Sequence, residues 1–237
     1  MIDAGYLKEI AGKEGIILSQ DEGERFSSYA ELLVEWNEKI NLTAITAPAE
    51  IAEKHFLDSL LLLKSVCPPE GGNIIDVGAG AGFPSVPCAI VRPDISLTLL
   101  DSLNKRVLFL EELTKRLEVR AECVHFRAEE AGRMEAYREK YDLAVARAVA
   151  RLRELSEYCL PFVKPGGYFA ALKGPGTEEE LEEARQAVAR LGGEIVKVDR
   201  YGLPDGSRRS IVVVKKISQT PTKYPRPAAK IKKQPIK

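Results

Sequence analysis

The sequence predicts an α/β protein: a doubly wound, mostly parallel seven-stranded sheet with an antiparallel final strand, preceded by an N-terminal helical extension. Three observations carry this reading. Short apolar runs alternate with amphipathic segments after residue 71, the first run leads straight into a glycine-rich turn, and the last two runs are joined by a turn signal with no helix between them. Alternating β and α segments form a parallel sheet covered by helices on both faces. Two strands joined without a crossover must run antiparallel.

Residues 1–70 read as helical. Phe26, Tyr29, Leu33, Trp36 and Ile40 recur at steps of three and four, one apolar stripe on a helix. Trp36 and Tyr29 on that stripe read as core, and Asn41 in Asn41-Leu42-Thr43 reads as a helix-end residue. Pro48 then opens a second helix, as a first-turn proline does, and Ala52, Phe56, Ser59/Leu60 and Leu63 repeat the stripe. Pro68-Pro69-Glu70-Gly71-Gly72 breaks the pattern and sets the boundary between a 1–70 extension and a 71–217 sheet domain. Strands are expected over 73–77, 97–100, 121–126, 143–146, 168–172, 194–201 and 210–215. Helices are expected from 86, over 103–117, over 151–160 and over 177–191. Thr177, with Glu180 three residues on, reads as a capping box, and Pro204-Asp205-Gly206 as the reverse turn between the last two strands.

Composition bounds the function. In 237 residues, 45% hydrophobic, there is ample material for a core and too much apolar content for a disordered chain. No run approaches the ~18 apolar residues a membrane span needs, Lys64 interrupting the richest stretch. The N-terminus Met1-Ile2-Asp3-Ala4-Gly5 lacks the basic-then-apolar layout of a signal peptide. Cys67, Cys88, Cys123 and Cys159 are widely spaced with no Cys-x-x-Cys pair, which argues against a metal site or a disulfide framework. The expectation is a soluble cytoplasmic protein without membrane contact. The neutral net charge hides an asymmetry: residues 215–237 carry eight basic side chains and no acidic one, leaving 27 basic and 35 acidic residues before them. A basic tail over 218–237 suggests a polyanion partner. The alternative is a solvated end, since Pro221, Pro225, Pro227 and Pro235 oppose regular structure.

The sharpest local signal is Asp76-Val77-Gly78-Ala79-Gly80-Ala81-Gly82-Phe83-Pro84, directly after the first strand. Gly78 and Gly80 permit a tight turn and close approach of a ligand to the backbone, and Gly82 lets the following helix pack close to the sheet. Asp101 ends the second strand 19 residues after Gly82, where a carboxylate can accept hydrogen bonds from both hydroxyls of a ribose. A dinucleotide site calls for G-x-G-x-x-G, but Phe83 stands at the third-glycine position. Asp76 beside the loop would serve a pyrophosphate poorly and an ammonium or sulfonium ligand well. S-adenosylmethionine is therefore favoured over NAD, and a methyltransferase over an oxidoreductase. A third reading is a non-catalytic RNA-binding or assembly factor on the same scaffold.

The glycine-loop segment, followed by Leu99-Leu100-Asp101-Ser102-Leu103-Asn104-Lys105-Arg106, closely resembles the glucose-inhibited division protein B family. So do Trp36-Asn37 with Asn41-Leu42-Thr43, His55-Phe56-Leu57-Asp58-Ser59, Ala146-Arg147-Ala148-Val149-Ala150 and Leu172-Lys173-Gly174. The resemblance runs from about Trp36 to Lys216, and Lys223-Tyr224-Pro225-Arg226 looks like the family's basic tail. It implies a class I S-adenosylmethionine-dependent methyltransferase that modifies guanine N7 in 16S rRNA of the bacterial small ribosomal subunit or its assembly intermediate, acting as a monomer. The cofactor contacts it implies are Gly78, Phe83, Asp101, Ser102, Ala128, Glu129 and Arg147, joined by Gly80 from the loop itself. Lys173, Lys223 and Arg226 are candidates for RNA contact. Ser85 stands where the family usually has glycine, which would add a side chain near the cofactor loop. Ala228-Ala229 replaces a glycine-containing stretch of the tail.

Guanine N7 carries an in-plane lone pair, so no base need remove a proton and the protein's task is positioning in a site that excludes water. This agrees with the lack of an obvious catalytic group. Cys88 superficially offers a nucleophile for C5 methylation, but its place on the helix after the glycine loop points to core packing. Arg147-Ala148-Val149 stands where amino-group methyltransferases carry Asn/Asp-Pro-Pro-aromatic. His55 and Asp58, one turn apart, read either as a hydrogen-bonded pair facing the cofactor or as a packing pair between the helical segment and the sheet.

Overall fold

The structure, a computed structural model, describes residues 2–147 and 150–236; Ala148 and Val149 of the motif at Arg147 lie outside the described residues. One sheet is built from β1 (Asn73–Val77), β2 (Ser96–Asp101), β3 (Ala121–His125), β4 (Tyr141–Arg147), β5 (Val163–Lys173), β6 (Gly193–Gly202) and β7 (Arg208–Lys216). Their order is β3-β2-β1-β4-β5-β7-β6. The first five pair in parallel, and β7 runs antiparallel to both β5 and β6. Each expected strand is present, most of them longer than the apolar run that announces it. The chain reverses direction across the sheet between β1 and β4, so the carboxyl ends of β1, β2 and β4 open onto one crevice, the ligand position of such a sheet.

The central strands are buried on both faces, which is why they read as continuous apolar runs. One face is covered by the N-terminal helices together with Ser85–Val91 and Asn104–Arg116, the other by Leu152–Cys159 and Thr177–Arg190. Phe26, Tyr29 and Leu33 of the Gln20–Asn37 helix are fully buried, as the stripe requires. Trp36 packs edge-on against Phe109 and donates its indole N–H to Glu112 at 3.2 Å. The helix ends at Asn37 rather than Ile40. The Asn37 side chain, not that of Asn41, caps the exit by accepting the backbone N–H groups of Leu42 and Thr43 at 2.9 Å each. Beyond Pro48 the helix over residues 48–60 is π-helical from Ile51 to Leu57, an irregularity often found beside functional sites.

Two expectations are corrected. Thr177 does not form a capping box: Gly176 occupies the cap with φ +87°, and Thr177 donates to the Gly174 carbonyl at 2.9 Å. Glu180 turns instead to Lys173 at 2.7 Å and to the Leu152 N–H at 2.7 Å, tying the end of β5 to the next helix over. The capping box of this chain is Ser19 with Glu22, at the start of Gln20–Asn37.

The second correction concerns the tail, whose prolines lie in irregular segments as expected but which is docked on the fold rather than solvated. Residues 228–233 form a helix, and Thr220, Tyr224, Ile231 and Ile236 are buried. Arg138 donates to the carbonyls of Thr220 at 2.6 Å and Tyr224 at 2.9 Å, while Glu139 accepts the Thr220 N–H at 2.7 Å. Arg226, a candidate RNA contact, points inward: its guanidinium grips the buried Glu157 at 2.6 and 2.8 Å. Lys216 is fully buried between the Leu160 carbonyl and Glu139, and burial lowers its ammonium to about 8.

Removing one member of a buried, hydrogen-bonded ion pair strands the other. Arg226→Ala should therefore destabilise the protein by about 3 kcal/mol, read from its urea midpoint, and expose the tail to trypsin. An unchanged midpoint would mean that Glu157 finds another partner.

Candidate active site

The glycine loop leaves β1 and turns at the sheet rim. Gly78, Gly80 and Gly82 all take left-handed backbone conformations, at φ +77°, +58° and +88°, which glycine adopts without penalty. Their surroundings differ. A Cβ on Gly82 would lie 2.6 Å from the Tyr29 hydroxyl and 3.0 Å from Val86, so this glycine is required for helix packing. A Cβ on Gly80 would meet only the Gly78 carbonyl at 3.8 Å, so this turn faces open space.

Asp101 holds the loop. One carboxylate oxygen accepts the Gly80 N–H at 2.9 Å and the other the Leu103 N–H at 2.9 Å, while Arg106 approaches to 3.7 Å. Each oxygen keeps a further lone pair for a ligand hydroxyl. On one side of Asp101 a cavity of ≈ 400 Å³ includes Gly78, Gly80, Phe83, Ser102 and Arg147 in its wall. On the other a cavity of ≈ 200 Å³ runs past Ser102 to Ala128 and Glu129. The eight cofactor positions named from the sequence thus line two cavities that meet at Gly78, Asp101 and Ser102.

Arg147, at the carboxyl end of β4, joins the first cavity to a third of ≈ 410 Å³, lined by Lys54, Asp58, Lys173 and Arg209. Its guanidinium donates to the Lys54 carbonyl at 3.1 Å, to Asp58 at 3.3 Å and to His55 Nδ1 at 3.2 Å, and lies 4.6 Å from the Phe83 ring centre. Because Nδ1 accepts, Nε2 carries the proton and donates to Thr43 Oγ1 at 2.8 Å. Phe83 stacks on His55 at 4.5 Å and on Tyr29 at 5.2 Å, and the Tyr29 hydroxyl donates to the Ala81 carbonyl at 2.5 Å.

His55 and Asp58 do not bond to each other; both meet Arg147. Asp58 also accepts the Tyr201 hydroxyl at 2.8 Å, with Arg209 at 3.9 Å, so the pair ties the helical extension to β4, β6 and β7. Thr43, Tyr201 and Arg209 escaped sequence reasoning because Thr43 meets His55 12 residues on, Tyr201 meets Asp58 143 residues back, and Arg209 lies farther still from the same Asp58. Lys173 reaches the third cavity, but its ammonium already binds Glu180 and the Ala150 carbonyl. Lys223 is exposed beside the Tyr224 ring.

Asp76 is fully buried. It accepts Ser85 Oγ at 2.6 Å and the Ser85 N–H at 3.2 Å, while its other oxygen has no partner. Burial raises its carboxyl to about 7, against the pull of the Ser85 bonds and Arg147. Ser85 is thus turned toward Asp76 beneath the loop and does not line the cavities flanking Asp101. Cys88 is buried with its thiol on the Ser59 carbonyl at 3.3 Å, and burial raises its pKa, as befits a packing residue.

A seven-stranded sheet of this order, with a glycine loop after β1 and an acid ending β2, is the fold of the S-adenosylmethionine-dependent methyltransferases and of enzymes related to them. Solved structures with the same fold include a branched-chain polyamine synthase from Thermus thermophilus, bound to N4-aminopropylspermidine and 5′-methylthioadenosine (TM-score 0.58, 13% identity, covering 81% of this chain and 64% of that one). NSun6 from Pyrococcus horikoshii is another (TM-score 0.57, 18% identity, 69% and 52%). Residues 22–211 match the family described as rRNA small subunit methyltransferase G. Relatives named ribosomal RNA small subunit methyltransferase G include those of Desulforamulus reducens, 49% identical over 97% of both chains, and Alkaliphilus oremlandii, 50% identical over 98% of both. The chain belongs to the rRNA small subunit methyltransferase G family.

Burial and the Arg147 charge lower His55 from its ordinary 6.5 to about 3. Between those values the unfolded chain binds a proton that the folded protein refuses, so stability falls as pH drops below about 6.5. His55→Asn lacks this loss. The stability advantage of wild type over the variant, from urea titrations at pH 7.5 and 5.5, should shrink by about 1 kcal/mol on acidification. A constant advantage would mean that His55 protonates freely in the fold.

Proposed function

We propose that the protein transfers the methyl group of S-adenosylmethionine to N7 of a guanine in 16S rRNA of the bacterial small ribosomal subunit, working as a monomer in the cytoplasm. The observation that carries the reading is the rim itself: an open glycine turn clamped by Asp101, with a cavity on either side. The residues present fit the cofactor. Asp101 can take the ribose hydroxyls, Ser102, Ala128 and Glu129 lie where an adenine edge would sit, and Gly78, Gly80 and Phe83 border the remainder. When bound, S-adenosylmethionine supplies an electrophilic sulfonium methyl.

The chain's own contribution is placement and exclusion of water. Guanine N7 attacks through a lone pair that needs no deprotonation, and the product ring keeps the positive charge, so neither acid nor base is required at the reacting atom. His55, held neutral with both ring nitrogens engaged, has no proton-transfer role to play. Arg147 is bonded to Asp58 and His55, which fixes it as a divider between the cofactor cavity and the ≈ 410 Å³ cavity. The latter is the entry for the nucleotide. Its rim carries Lys54, Lys173 and Arg209 beside their carboxylate partners Asp205, Glu180 and Asp58, and the adjoining surface adds Arg200, paired with Glu178, and Arg208, whose cation suits a phosphate. Among the described residues no helix is long and apolar enough to cross a membrane, in keeping with an rRNA substrate.

Isothermal titration of S-adenosylhomocysteine should show binding by the wild type, weakened at least tenfold by Asp101→Ala. Incubation with small-subunit particles or their RNA and labelled S-adenosylmethionine should yield 7-methylguanosine on nucleoside digestion. Methyl transfer to another atom would overturn the N7 assignment. No cofactor binding, with or without RNA, would overturn the enzyme reading.

RNA binding should weaken with salt, and charge reversal at Arg208 should reduce both affinity and salt slope while leaving S-adenosylhomocysteine binding unchanged. If the slope does not move, the nucleotide enters elsewhere.

A further inference from the structure

The C-terminal tail is anchored by more contacts than a solvated end needs. Thr220 donates to the Leu191 carbonyl at 2.8 Å, Arg226 holds the buried Glu157, and Ile231 and Ile236 are buried in the same apolar cluster as Leu152, Leu155 and Tyr158. These contacts deliver the Ala228–Lys233 helix to the carboxyl ends of the first strands. There Ala228 and Lys232 form part of the wall of the ≈ 200 Å³ cavity, opposite groups contributed by β2 and by the segment after β3.

We infer that the Ala228–Lys233 helix closes the adenine end of the cofactor site, making the basic tail an element of cofactor binding. The inference rests on the methyltransferase reading and adds a binding element to it. The cavity has the chemistry of a heteroaromatic slot. Val77, Leu100, Ala150 and Ala228 give apolar walls for the ring faces, while Ser102 and Glu129 give polar groups for its edge. Tyr158 is almost fully buried, and burial raises its phenol to about 12, so it stays neutral beside the slot. Ala228 is small, which keeps the slot open. Lys232 lines the same cavity, and its long aliphatic stem can cover a ring face while its ammonium stays in water. Ala229, the next residue, faces solvent and takes no part in the cavity.

The test compares two bulky substitutions one residue apart. Ala228→Trp fills the slot and should weaken S-adenosylhomocysteine at least tenfold by isothermal titration. Ala229→Trp places the same side chain in solvent and should bind as wild type does. Binding by the wild type tests the methyltransferase reading, and the ratio between the variants tests the tail. Equal affinities for Ala228→Trp and wild type, or equal losses in both variants, would overturn the inference. A second readout needs no substitution: saturating S-adenosylhomocysteine should slow trypsin cleavage at Lys230, Lys232 and Lys233 severalfold. If Ala228→Trp fails to fold, this measurement decides, and cleavage at an unchanged rate would overturn the inference.

Discussion

The architecture of the site depends on one buried guanidinium. Arg147 ends β4 at the point where the sheet order reverses, and there it binds the Lys54 carbonyl, His55 and Asp58 of the helix over residues 48–60. An arginine withdrawn from water is tolerable only when its donors are met and its charge is balanced. Asp58 supplies the balance and is itself held by Tyr201. Through this one residue the helical extension, the glycine loop and the β6–β7 hairpin are fixed to a common point. Truncating it would leave the Asp58 charge buried beside a neutral histidine.

The cofactor loop is supported from the other side by aromatic packing. Tyr29 stacks on Phe83 and hydrogen-bonds the Ala81 carbonyl, and Gly82 is forced by the proximity of that same tyrosine. The N-terminal helices therefore do more than cover one face of the sheet: they set the shape of the glycine turn. Asp101 completes the arrangement from within the sheet by holding Gly80. A loop preset in this way has little reorganisation to undergo on binding, which favours affinity without added contacts.

Electrostatics divide the rim into two territories. The cavities flanking Asp101 carry the carboxylates of Asp101 and Glu129, while Asp76 is buried beneath the loop and lines neither of them. The rim beyond Arg147 carries Lys54, Lys173, Arg208 and Arg209, with Lys54 paired to Asp205 and Lys173 to Glu180. Arg147 and Asp58 form the partition between them. The neutral total charge of the chain conceals this separation.

The order and type of the strands were legible in the sequence because each depends on local pattern: an apolar run of strand length, a glycine or proline stop, and an amphipathic segment between. The same holds for the placement of Gly78, Gly80 and Asp101 on the rim, which follows from their position at strand ends. What tertiary structure decided was the partner of each polar group. The pairing of Arg147 with Asp58 spans 89 residues and that of Arg226 with Glu157 spans 69, and no local spacing encodes either. The tail shows the difference most clearly. Its sequence determined a positive charge, which suggested a polyanion partner, and a set of prolines, which suggested a solvated end. Only folding brought Arg138, Glu139 and Glu157 to its backbone and side chains and gave Ile231 and Ile236 an apolar bed. A segment with few apolar residues is ordered by what it can dock on, and that surface exists only once the sheet and its helices are assembled.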